Sequence, residues 1–427
     1  MIWIFLLCML VLIALGTPVA FALGATAIVL ALVMDQSLTG VVHNTITGMD
    51  KFPLLAIPFY LLLGSIMNRG SLSRRLMRLA NAMIGFVPGG LGHGAVLGSM
   101  FMGGVSGSAV ADSSAVGSIL IKPMEGQGYR RSQSGALIGT ASLLGIIIPP
   151  SIPFVLFGIA TETSIKDLFL GGIVPGLMFA ALLMIVVWWQ ARGRGEAART
   201  AFRRAELVES FKSAWAAVII PIVVVFGILF GFFTPTEAGA MASGVALFLS
   251  MVFFRDVTFR DLPGIFMSAA KTTAAVFFLV GTASATAWLL TAGQVPQSII
   301  GTLLAISEHP LIVLLLINVF LLLVGCVLDL TPALLILAPI LMPVAVYFGI
   351  DPIFFGVMMC INLGLGLVTP PVGTILYIMA GLSRAPVEAI IKDLLPYLAV
   401  MVFGLVLIIL FPGIVTFLPE LLSGAEP

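Results

Sequence analysis

Long apolar runs punctuated by glycine and proline, with few charges between them, set the pattern of this 427-residue chain. A helix crossing a bilayer needs about 20 apolar residues. Runs of that kind fall near 2–16, 18–33, 52–67, 132–158 and 168–190, and again near 213–231, 237–254, 268–292, 352–379 and 394–417. Two further apolar regions, 93–121 and 311–347, are interrupted by Gly103-Gly104-Val105-Ser106-Gly107-Ser108 and by Gly325-Cys326-Val327-Leu328-Asp329-Leu330-Thr331. Each reads as a re-entrant hairpin of two half-length helices. Segment 72–86 differs: Leu72, Leu76, Leu79, Met83 and Phe86 recur at helical spacing while Arg74, Arg75 and Arg78 stand apart, as in an amphipathic helix lying in an interface. Its counterpart in the second half is expected near 293–307.

Double prolines inside two apolar runs organise the rest. Gly145–Ser151 (GIIIPPS) and Gly366–Val372 (GLVTPPV) break helices at membrane depth. Hydrocarbon cannot satisfy the freed backbone groups, so such breaks persist only inside protein or along a cavity. Spacing ties the two together: Pro149/Pro370, Pro150/Pro371, Pro175/Pro396 and Asp167/Glu388 all stand 221 positions apart, and Thr17-Pro18/Thr234-Pro235 and Gly64/Gly281 stand 217 apart. The chain therefore reads as a first repeat over 1–190, a basic linker over 191–212 and a second repeat over 213–427. Five crossings and one hairpin per half make the second copy enter from the opposite side, an inverted-topology plan.

Charge fixes an orientation. With 191–212 placed in the cytoplasm, as the excess of Lys and Arg in cytoplasmic loops requires, all of the 20 basic residues except Lys51 and Lys166 fall inside. Both termini then lie outside. The first segment lacks the positive start of a signal peptide and reads as a membrane helix. Composition agrees: 60% hydrophobic, 9% charged, mean hydropathy +1.20, against about 25% charged in soluble domains. The expected class is an all-α polytopic membrane protein with about ten transmembrane helices and two re-entrant hairpins. A net charge of +1 gives no reason to expect nucleic acid. Cys8, Cys326 and Cys360 lack disulfide or metal spacing, and His43, His93 and His309 sit near expected helix ends.

In each half a hairpin tip and a broken helix are expected to meet. The first offers Gly104, Ser106, Gly107 and Ser108 with Pro149 and Ser151; the second offers Gly325, Asp329 and Thr331 with Thr369, Pro371 and Gly373. Hydroxyls and carbonyls freed by prolines are hard oxygen donors suited to Na⁺, so two Na⁺ sites related by pseudo-symmetry are expected. Half-helix starts near Ala109 and Pro332 would present N–H groups to an anion. Substrate-binding candidates are Ser108, Ala109, Asp112, Pro150, Thr331, Asn362 and Pro370. Asp112 and Asp329 are carboxylates at membrane depth, where such groups are functional by default; Asp112 has a competing role as a helix cap. Glycine and serine here also have a packing reading. No glycine is followed by lysine, so a phosphate-cradling nucleotide loop is missing, as are His-Glu-x-x-His and a strand-borne Gly-x-Ser-x-Gly. Energy then comes from an ion gradient or another chain.

At Gly103–Gly117 (GGVSGSAVADSSAVG), Gly145–Ser151 (GIIIPPS), Phe52–Gly64 (FPLLAIPFYLLLG) and Asn362–Gly373 (NLGLGLVTPPVG) the sequence resembles the large membrane subunit of TRAP transporters, the tripartite ATP-independent periplasmic transporters. The resemblance implies an elevator-type, Na⁺-driven secondary transporter of bacterial inner membranes, with no nucleotide. It implies two partners: a small four-helix membrane subunit, here expected as a separate chain, and a periplasmic substrate-binding protein. It also implies organic-acid substrates such as C4-dicarboxylates or sialic acids. The competing reading is a self-sufficient carrier like the divalent-anion/Na⁺ symporters; a remote one is an intramembrane hydrolase using Ser106 or Asp112, for which no second catalytic group is placed at the same depth.

Overall fold

The computed structural model describes residues 1–192 and 203–423; Arg194 and Arg199 of the basic linker lie outside the described residues. The first half runs through α1 (Ile2–Ala14), α2 (Val19–Val33), α3 (Leu38–Met49), α4 (Ala56–Arg69), entered by a tight turn over Phe52–Leu55, and the arm α5 (Leu72–Ile84). A hairpin of α6 (Gly90–Ser106) and α7 (Ala109–Gly126) follows. Next come a broken helix of α8 (Arg131–Ala141), α9 (Leu144–Ile147) and α10 (Ile152–Thr161), and the long α11 (Ile165–Ala191). The second half runs through α12 (Arg204–Leu229), α13 (Pro235–Phe248), α14 (Leu262–Ala292) and α15 (Val295–Leu304). Its hairpin is α16 (Pro310–Gly325) and α17 (Leu330–Tyr347). Its broken helix is α18 (Pro352–Gly366) and α19 (Thr374–Ser383), followed by α20 (Val387–Leu410) and α21 (Gly413–Ser423). Every regular element among the described residues is helical, as the absence of lipid-tolerant alternatives to helices and closed barrels demands.

Seven helices among the described residues are long and apolar enough to cross a bilayer, and the pair α8–α9 and α10, bent by 43°, makes an eighth. Five details depart from the sequence reading. Helix α17, expected as a half-length arm of a re-entrant hairpin, has 18 residues and is itself one of the seven. Helices α1 and α2, expected to cross, have 13 and 15 residues, about 20 and 22 Å at 1.5 Å per residue against a core of about 30 Å. Gly16-Thr17-Pro18 and the turn at Asp35 stop them early. Helix α3 was not expected, because Thr, His and Asn dilute its apolar pattern. The run 394–417 divides at Phe411-Pro412 into α20 and α21. On the arm, Leu72, Leu76 and Leu79 are buried, yet Met83 in its last turn and Phe86, beyond the helix end at Ile84, are exposed.

Two groups of helices pack together. In one, α2, α3 and α4 lie along α14, α4 lies against α13, and α12 against α5. The other joins the hairpins and broken helices to α11, α20 and α21. Within it, contacts are exchanged between the halves: α10 packs on α17, and α19 on α7. Polar contacts gather the basic helix ends on one face. Arg69 meets Asp261 at 2.5 Å, Ser71 N–H donates to Asp256 at 2.8 Å, and Arg75 donates to the Ser213 carbonyl at 3.3 Å while lying over Phe254. Asp261, held by the Thr258 hydroxyl and by Arg69, has its carboxyl well below the usual range. Arg130 meets Asp393, and Gln133 and Tyr397 both donate to Gln190. On the opposite face Lys51 donates to the Ile159 carbonyl at 3.0 Å.

Close backbone approach positions the centre. Gly103 lies against Gly145, where an added Cβ would stand 2.6 Å from the Gly145 Cα, and Gly366 lies against the carbonyl of Gly325. Overpacking such a contact costs about 1–3 kcal/mol. Gly366→Ala is therefore expected to lower the thermal unfolding midpoint of the detergent-solubilised protein. Gly301→Ala, which meets open space, should leave it unchanged; equal midpoints for the two variants would refute the role given to this contact.

Candidate functional site

The first hairpin turns on two residues. Gly107 ends α6 with φ +62°, a left-handed conformation that favours glycine. Ser108 caps α7 by accepting the Ala111 N–H. The tip then meets the first break directly: Ile152 N–H donates to the Gly107 carbonyl at 3.3 Å, and a Cβ at Gly107 would stand 2.8 Å from the Pro150 carbonyl oxygen. Gly104 faces the Pro149 carbonyl across the same seam. The second half repeats the arrangement. Val372 N–H donates to the Cys326 carbonyl at 3.2 Å, and Thr374 donates to Asp329 at 3.3 Å. Both Pro149-Pro150 and Pro370-Pro371 are cis.

Individual side chains take different roles. Ser106 donates to Asp112 Oδ1 at 2.6 Å and accepts the Ser108 N–H at 3.1 Å. Asp112 is fully buried, and its Oδ2, pressed on Gly145, has no partner among the described residues. The capping role considered for Asp112 thus falls to Ser108. Ala109 is the buried first residue of α7. Ser151, fully buried, donates to the Ile146 carbonyl at 2.6 Å and accepts the Phe154 N–H, so its hydroxyl knits the break and caps α10. Thr369 donates to Leu365 at 2.7 Å. Gly373 has φ +24° and leaves no room for a Cβ beside the Thr369 carbonyl. Tyr377 reaches the Pro371 carbonyl at 3.2 Å, and Pro370 is half-buried beside it. Thr331 stands in the first turn of α17, half-buried.

Asn362 lies apart from the break. Its amide donates to the Asn318 carbonyl and to Asn318 Oδ1, at 2.9 and 2.8 Å, tying α18 to α16. Sequence reasoning missed Asn318, although one amide in the otherwise apolar PLIVLLLINVFLLLVG was a signal of interhelical hydrogen bonding. The two centres adjoin, since Ile146 at the first break reaches Gly364 beside Leu330 of the second hairpin. They differ in exposure: Ser106 is 3% exposed, whereas Val327 at the second tip and Val372 at the second break are 54% and 42% exposed. A cavity of 380 Å³ runs along α7, with Ser114 and Ser118 facing Asn68 and Arg69 of α4. Among the described residues no three His, Cys, Asp or Glu side chains cluster as metal ligands.

Paired hairpins and broken helices meeting inside an apolar helical protein define a multi-pass membrane transporter of the kind whose sites are lined by interrupted helices. The chain belongs to the DctM component family of tripartite ATP-independent periplasmic transporters, whose family model matches residues 6–414. It is 40% identical to the 2,3-diketo-L-gulonate TRAP transporter large permease protein of Escherichia coli K12, covering 96% of this chain and 97% of that one. It is 36% identical to the sialic acid TRAP transporter large permease protein of Vibrio cholerae, covering 96% of each. Among solved structures, the YdaH transporter of Alcanivorax borkumensis superposes with a TM-score of 0.64 at 16% identity, over 88% of this chain and 87% of that one; that likeness concerns the fold. The relatives are permease subunits, not enzymes.

Removing the Ser106 hydroxyl would leave a buried carboxyl oxygen of Asp112 without its partner, at a cost of about 1–3 kcal/mol. Ser106→Ala and Asp112→Ala are expected to couple by about 1 kcal/mol or more in a double-mutant cycle read from unfolding midpoints. Simple additivity would show that the pair is not a unit.

Proposed function

We propose that this chain is the transport subunit of a Na⁺-coupled TRAP system that carries an organic acid across a bacterial inner membrane by an elevator mechanism. The observation that carries the reading is the doubled contact of hairpin tip and helix break, Ile152 N–H on Gly107 and Val372 N–H on Cys326. Each contact surrounds hydroxyls and freed carbonyls with opposed half-helix ends, a donor set suited to a small hard cation. In the first site Asp112 holds the Ser106 proton, so that oxygen, which already accepts the Ser108 N–H, has only acceptor capacity left for an ion. In the second, the Thr369 proton is committed to Leu365 in the same way.

The substrate lies between the two ion sites, against the N–H groups that open α7 and α17 and the hydroxyls of Ser108 and Thr331. 2,3-Diketo-L-gulonate and sialic acid, named for the relatives, are both hydroxylated carboxylates, and a site of N–H dipoles and hydroxyls matches that chemistry without an arginine. The hydroxyl-lined cavity along α7 serves as the route toward the basic face, which is the cytoplasmic one, and both termini are periplasmic. A small four-helix membrane subunit and a periplasmic binding protein complete the system. Na⁺ binding orders the tips and so forms the anion site, which makes ion and substrate affinities rise together.

Proteoliposomes holding the permease and its small subunit, supplied with loaded binding protein, test this. Replacing external Na⁺ by K⁺ should reduce uptake to background, and Thr369→Ala should raise the Na⁺ concentration for half-maximal uptake by about tenfold, the effect of about 1.4 kcal/mol at a ligand. Uptake unaffected by Na⁺ would overturn the coupling, and full uptake without the binding protein would favour a self-sufficient carrier.

A further inference from the structure

A second cavity, of 410 Å³, opens on the basic face between the arm, the first hairpin and the start of α12. Its polar side carries Arg74 and Arg78 from α5 and Arg203 at the head of α12, with Glu206 as the acidic member of the lining. The members contributed by the first hairpin are apolar: Leu91 of α6 and Ile119, Leu120 and Pro123 of α7. Arg69, Arg130 and Arg131 are ion-paired with Asp261, Asp393 and Glu125, whereas Arg74, Arg78 and Arg203 have no such partner among the described residues. Two guanidiniums one helical turn apart on α5, with a third at the head of α12, thus line a space whose lining among the described residues holds one carboxylate, Glu206.

We propose that this groove binds an anionic phospholipid, with its phosphodiester on Arg74 and Arg78 and an acyl chain along the Ile119–Pro123 wall. Guanidinium forks match phosphate oxygens in geometry as well as charge. Basic pockets between helices at a membrane face are suited to acidic headgroups, and the apolar wall distinguishes a lipid from a soluble anion, which would gain nothing from it. The amphipathic arm places the groove at the depth of headgroups: Leu72, Leu76 and Leu79 face the protein while the arginines leave its opposite side. A lipid seated here would touch α5, the α6–α7 hairpin and α12 at once, linking the two packed groups of helices. This inference requires only that the chain is embedded in a bilayer, and is independent of ion coupling and substrate.

The test uses the purified complex in detergent, titrated with phosphatidylglycerol or phosphatidylcholine, with native mass spectrometry of retained lipid and thermal unfolding as readouts. Wild type should retain phosphatidylglycerol in preference and gain stability from it. Arg74→Gln/Arg78→Gln should weaken that binding by about thirty-fold, the effect of two lost headgroup contacts. Lys392→Gln, an exposed basic change elsewhere, should not. Ile119→Glu, which sets a carboxylate in the apolar wall while leaving both arginines in place, should weaken it independently. Equal retention by wild type and the double variant, equal retention of the two lipids, or an equal stabilisation by inorganic phosphate would each overturn the proposal.

Discussion

The hydrogen bonds from Ile152 N–H to Gly107 and from Val372 N–H to Cys326 close two helix breaks that hydrocarbon could not tolerate. Other central features follow from making them possible. A tip must come within hydrogen-bonding range of a break, so the flanking helices have to approach backbone to backbone, and glycine pairs 103/145 and 325/366 supply the room. The prolines remove donors at the point where no acceptor would be available. Ser151 then spends its hydroxyl on the Ile146 carbonyl and the Phe154 N–H, satisfying groups that the break exposes. A double proline at membrane depth is thus tolerable only together with its hairpin, and each half of the chain carries both.

The second group of helices frames this centre by a different physics. Tyr60 donates to the Pro235 carbonyl at 2.9 Å, and Thr234 with Glu237 forms a reciprocal cap at the start of α13. The arm is bonded to this group through Ser71 at its head and Arg75, while its apolar side rests on α6, where Met77 fills the space left by Gly98. Directional bonds hold the arm to one group and non-directional packing holds it to the other. A seam of the second kind is the one along which helices can slide without breaking hydrogen bonds.

Much of this was legible before any coordinates. Proline spacing at a constant 221 located both breaks, because proline's effect on backbone is local and independent of context. Hairpin tips were visible as short polar and glycine-rich interruptions of apolar runs, and the arm as a 3.6-residue stripe. What was hidden depended on tertiary partners. Nothing in GIIIPPS says that Ser151 turns inward to its own helix, and nothing near Asn362, a substrate-binding candidate, points to its partner Asn318, 44 positions earlier. Helix α3 was concealed by its threonines and its histidine, since a short segment lying against α14 need not be uniformly apolar.

The halves also diverge where pattern alone suggested equivalence. In the first, a buried carboxylate sits behind the tip, and Asp112 accepts from Ser106 while its second oxygen lies against Gly145. In the second, Asp329 stands on the tip itself, exposed, and meets Thr374. Repeating Asp112 in the second hairpin would require a polar side chain on α17 at Ala333, which is fully buried. An acid held behind a hydroxyl fixes the direction of that hydroxyl's proton without occupying the space in front of it, whereas an acid on the tip is itself available to whatever enters. The two centres therefore share a backbone plan and differ in chemistry: the acid of the first is enclosed, that of the second exposed.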